Sequence, residues 1–86
     1  MNYVNYTVNL NSKYGEINHL KLQLRDLLFQ ELSVNEMIIE ILKDLDDTPT
    51  LLTLSNFQEE LKRVCYDNEV YTKVIENIER AKDEMN

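Results

Sequence analysis

Asp44, Asp46 and Asp47 crowd together near the middle of this 86-residue chain, and clustered oxygen donors are what a calcium loop uses. Such a loop also needs a glycine at its sharp turn and a bidentate glutamate at its end, and neither follows here. His19 is the only histidine and Cys65 the only cysteine. His19 falls on the polar side of a helical pattern and Cys65 on an apolar one, where a thiol acts as a small core residue. A Cys–His nucleophile pair would need the two to meet in the fold. One glycine, Gly15, is too few for a loop that cradles phosphate. The expectation is a protein that is not an enzyme and has no cofactor and no metal.

A different constellation carries more. Glu36, Glu40, Asp44 and Asp47 recur at spacings of four, four and three, which places them along one edge of a helix. At ~1.5 Å rise per residue, successive carboxylates step about 5–6 Å along the axis. That step approximates the run of phosphates along a DNA strand. Like charges at this spacing destabilise a helix by a few tenths of a kcal/mol each, and only Lys43 is near enough to offset them.

The net charge of −7 is concentrated in the same place. Residues 1–30 carry +1 and residues 61–86 carry −1, whereas residues 31–60 carry −7. A field of one sign repels nucleic acid and attracts basic protein surfaces.

These residues need elements to position them. Val4, Tyr6, Val8 and Leu10 alternate with Asn5, Thr7 and Asn9, the period of a half-buried strand over residues 4–10. A helix over about 13–32 follows, with Tyr14, Ile17, Leu20, Leu24, Leu27, Leu28 and Leu32 on one stripe. His19–Arg25 also alternates and admits a rival strand, but Leu, Lys, Gln and Arg favour helix. Ser33-Val34-Asn35-Glu36 is a capping box opening a helix over about 34–46, and Pro49 follows its end. Ser55-Asn56-Phe57-Gln58 is a second box, for a helix over about 55–66. Its core face takes Phe57, Leu61, Val64 and Cys65; Leu51, Leu52 and Leu54 pack ahead of it or extend it back toward Pro49.

The last helix, over about 69–84, turns Val70, Val74, Ile78, Ala81 and Met85 inward. Outward it offers Glu69–Lys73 and Glu76–Arg80 pairs. Leu22, Phe29, Ile39, Tyr71 and Ile75 fall outside the main stripes and form either the flank of a wide core face or an interface. The fold class is mainly α: a short N-terminal β-strand, then about four helices in a small bundle, as a single domain over 1–86.

Part of this order resembles the ribbon-helix-helix family of dimeric repressors and antitoxins. Thr7-Val8-Asn9-Leu10-Asn11 resembles the alternating ribbon of that family. Glu31-Leu32-Ser33-Val34-Asn35-Glu36-Met37-Ile38-Ile39 looks like its turn and the start of its second helix. The resemblance implies paired ribbons in a major groove, with Asn5, Thr7 and Asn9 facing the bases and the Ser33 amide region holding a phosphate. The segment departs from the pattern in having no Lys or Arg in the ribbon and Leu32 in place of the turn glycine.

So short a chain builds a marginal core, a single cysteine gives it no disulfide, and association is its remaining support. A homo-oligomer is therefore expected. The unpaired cysteine fits a reducing compartment, the first ten residues have no signal-peptide pattern, and no stretch is long enough to span a membrane. The expected location is cytoplasmic. Ten asparagines and one glycine suggest an AT-rich genome of the kind many phages have.

The leading functional expectation is a small acidic regulator that docks Glu36, Glu40, Asp44 and Asp47 on a basic protein surface. One concrete version is a phage-type inhibitor of a host or defence protein that mimics nucleic acid. The alternative is the ribbon-helix-helix autorepressor or antitoxin.

Overall fold

The computed structural model describes residues 8–10, 12–30, 34–47, 49–64 and 69–86. Regular structure among them is entirely helical: α1 (Gly15–Leu28), α2 (Asn35–Asp47), α3 (Leu51–Val64) and α4 (Glu69–Met85). The 3.6-residue spacing of leucine and isoleucine explains why. Ile17, Leu20, Leu24 and Leu27 line the buried face of α1, and Ile38, Ile41, Leu42 and Leu45 that of α2. Leu54, Phe57 and Leu61 do the same for α3, and Tyr71, Val74, Ile78 and Ala81 for α4. The same spacing resolves His19–Arg25 as helix, because only a helix puts Ile17 and Leu27 on the same face as Leu20 and Leu24.

Each helix packs on its two neighbours in a closed ring, α1–α2–α3–α4–α1, with no diagonal contact. Interhelical bonds show that α1 and α4 run antiparallel, pairing Glu16 with Glu84 and Gln23 with Asn77. The Cα radius of gyration is 12.1 Å. A close-packed chain of this length is expected at ~12 Å.

The N-terminal strand is not part of this architecture, which corrects the expected fold class. Val4, Asn5, Tyr6 and Thr7 lie outside the described residues. Val8, Asn9 and Leu10 are described and are not a strand. Val8 is buried in the core between helices, so its apolar character has an outlet without a sheet. The backbone of Asn9 is committed to side chains: its N–H donates to Asp46 Oδ1 at 3.3 Å and its carbonyl accepts from Lys21 Nζ at 2.7 Å. A ribbon ladder would need those same groups. The likeness to ribbon-helix-helix proteins falls with the strand that carried it, since among the described residues there is none.

Helix ends also differ from expectation. Ser33 and Cys65 lie outside the described residues. Ser55 is interior to α3, which starts four residues earlier, where Thr50 Oγ1 accepts from the Thr53 amide at 3.0 Å. The earlier start brings Leu54 onto the stripe of Phe57 and Leu61, a gain in burial the later box would forgo. Val64, expected inward, is 47% exposed. Of the residues outside the main stripes, Tyr71 is buried, Leu22 and Ile75 flank the core, Ile39 is half-buried and Phe29 is exposed. The Glu69–Lys73 and Glu76–Arg80 pairs do not form; Arg80 donates to Asn77 Oδ1 at 3.1 Å instead.

Three polar side chains sit on the core faces, and each is partnered. Lys21, 3% exposed, makes an ion pair with Asp46 at 3.1 Å as well as its bond to Asn9. Gln58 on α3 donates to Glu79 at 2.7 Å and accepts from Lys82 at 3.1 Å, both on α4. Asn77 on α4 donates to Gln23 on α1 at 2.8 Å. Buried polar groups are costly unless satisfied, so these pairings fix which helix faces which.

Candidate protein-docking site

The acidic edge is laid out by α2. Burial of Ile38, Ile41, Leu42 and Leu45 rotates Glu36, Glu40, Asp44 and Asp47 to the outside, and all four are exposed. None of them makes an ion pair or hydrogen bond among the described residues. Lys43 is exposed as well and neutralises none of them by contact. Asp46 is separated from this set: it turns inward to Lys21 and to the Asn9 amide. The aspartate cluster is thus split between a structural ion pair and the surface, which removes the basis for reading it as one metal loop.

Beside the edge lies a feature that sequence reasoning did not anticipate. Helices α2 and α3 pack along the thinnest of the four seams, and between them is an open groove of about 200 Å³. Met37, Ile41, Leu52 and Phe57 supply its apolar surface, and Glu40 and Asp44 on α2 face Glu60 on α3 across it. A second hollow of about 300 Å³ shares Met37 and Glu60 and continues to Arg63 and Val64. The groove therefore has a mixed lining, with Met37 and Leu52 beside Thr53 and Asn56, carboxylates on both rims and Arg63 at its far end. Leu52 is the most exposed large apolar residue described, at 69%.

Leu52 sits outside the 54–57–61 stripe, and Val64, in phase with that stripe, is the last residue of α3 and is left exposed. The signal in the sequence was a surplus of leucines after Pro49: Leu51, Leu52 and Leu54 cannot all lie on one helix face.

The remaining expected residues fare differently. Asn9 is anchored through its backbone, and Asn5 and Thr7 lie outside the described residues. His19 is exposed on α1. Among the described residues no cluster of three or more His, Cys, Asp or Glu is placed to hold a metal, and no helix is long and apolar enough to cross a membrane. Comparison with family models, with curated proteins and with solved structures yields no match for this chain.

Proposed function

We propose that this protein is a small non-catalytic regulator that binds a protein partner by presenting the acidic edge of α2 to a basic surface. The observation that carries this reading is the set Glu36, Glu40, Asp44 and Asp47, exposed and unneutralised by any described cation. Structural carboxylates in this molecule are used differently: Asp46 holds Lys21, Glu79 holds Gln58, and Glu84 caps α1. Leaving four others unpaired in a row costs the helix some stability and gives nothing back inside the fold. Charges so arranged speed and orient encounter with a basic surface. A nucleic-acid-binding surface is one such target, since the carboxylates step along α2 much as phosphates step along a strand.

The test is affinity capture from the source cell at low salt, comparing the wild type with a Glu36→Lys, Glu40→Lys, Asp44→Lys variant. A protein retained by the wild type and lost by the variant, with far-UV circular dichroism unchanged, is the expected result. Equal retention by both, or retention of nothing by either, rejects the reading.

A further inference from the structure

We infer that the partner element seated on this face is a basic amphipathic helix, with its apolar stripe in the α2–α3 groove and its cations on the carboxylate rims. This rests on the proposed docking role of α2 and specifies the partner's structure. Three observations lead to it.

The first is that both walls are helices. Their backbone N–H and C=O groups are bonded within the helices, so an extended peptide would find no main-chain partners here. A helical ligand satisfies its own backbone and needs only side-chain contacts. The second is the spacing of the walls. Met37, Glu40, Ile41 and Asp44 recur at three, one and three residues, and α3 offers Leu52, Asn56, Phe57 and Glu60 before Val64. From residue 52 to 64 the wall spans about 18 Å, the length of roughly three helical turns. The two hollows, of about 200 and 300 Å³, are open and continue from Leu52 to Val64, which suits a row of inserted side chains.

The third is charge. Glu40 and Asp44 stand on one rim and Glu60 on the other, all exposed and without a described partner. The exposed apolar side chains alone would accept any hydrophobic helix; carboxylates on both sides select one whose flanks carry Lys or Arg and repel an acidic one. Leu52 at 69% and Val64 at 47% exposure are large apolar groups left in water on this face. Covering them supplies the gain that charge pairing at a rim does not.

The test uses the full chain and two fluorescent peptides of about 12 residues, identical in Leu and Lys content. One spaces its leucines on a helical stripe, and the other scatters them. Binding is read by anisotropy for the wild type, Leu52→Asp, Val64→Asp and the α2 charge-reversal variant. Leu52 and Val64 are outside the core, so both aspartate variants are expected to fold, which circular dichroism checks. The expected result is binding of the striped peptide at least about tenfold tighter than the scattered one, with about tenfold losses in each aspartate variant. Charge reversal should abolish it.

Equal binding of both peptides, unaffected by Leu52→Asp but lost on charge reversal, overturns the groove while leaving the acidic docking edge standing. Absence of striped-peptide binding up to ~1 mM also overturns it, and the capture experiment then judges the edge by itself. A drop in the molar mass of the chain alone on Leu52→Asp would show the occupant to be a second copy, and overturns it too.

Discussion

The α1–α4 seam and the α2–α3 seam lie on opposite sides of the same ring of helices and are built in opposite ways. Along α1–α4, apolar packing is reinforced at both levels by polar bonds, Glu84 to the Glu16 and Ile17 amides and Asn77 to Gln23. Across α2–α3, among the described residues, no hydrogen bond or ion pair passes between the helices, and the packing thins into a groove. The difference teaches that polar reinforcement of a very small domain need not be spread evenly around its ring of helices. Three seams carry such bonds, α1–α2 through Lys21 and Asp46 and α3–α4 through Gln58 as well as α1–α4. The fourth keeps leucine, valine and carboxylates in water, which stabilises nothing internally and is intelligible as a surface for something else.

The comparison can be broken most severely from the closed side. Ile78→Ala removes a fully buried side chain of α4 and should cost about 2–5 kcal/mol, read as a fall in the urea midpoint. In so small a domain that loss is expected to leave a substantial unfolded population at 37 °C.

Next in size is Lys21. Lys21→Ala strands Asp46 and releases the backbone of Asn9, for an expected loss of about 2–3 kcal/mol, tempered because Asp46 is partly in contact with solvent. Glu84→Ala takes away the cap of α1, whose own N-cap residue Tyr14 makes no side-chain bond, and should cost about 1 kcal/mol by thermal melting.

The open side should respond far less. Leu52→Asp is expected to stay within about 0.5 kcal/mol of wild type. A cost above ~2 kcal/mol would show that Leu52 packs in solution and that the two seams are not so different. Smallest is Gly15→Ala. A methyl there would sit 3.8 Å from Glu84 Oε2, an ordinary contact, so the helix-propensity gain of a few tenths of a kcal/mol should appear as a slightly raised melting temperature.

How far the sequence revealed this architecture depends on the residue. The buried leucines and isoleucines of α1 and α2 were readable because a 3.6 period sustained over about three or four turns leaves one interpretation, even where His19–Arg25 alternates within it. The period-two run before residue 11 had two. Alternation shows that every second side chain is covered, and an arm pinned by Lys21 and Asp46 covers Val8 as well as a sheet would. Lys21 itself was legible in hindsight, a lysine four residues after Ile17 and three before Leu24, squarely on the apolar stripe. Its partner was not, because a buried lysine can be met by any carboxylate the fold delivers. The acidic edge was readable, since exposure follows from the burial of its neighbours. The groove was not, because it depends on the thickness of packing between α2 and α3, and no local pattern encodes that distance.

The Glu84 cap also carries a consequence for how the protein comes into being. Its carboxylate lies 68 residues along the chain from the Glu16 amide it satisfies. At a synthesis rate of about 5–20 residues per second, roughly 3–14 s pass between the making of the first helix and of the group that finishes it. During that interval α1 has α2 to lie against but neither its cap nor the α4 face. The nascent chain therefore carries the apolar stripe of α1 only half covered until α4 has been made.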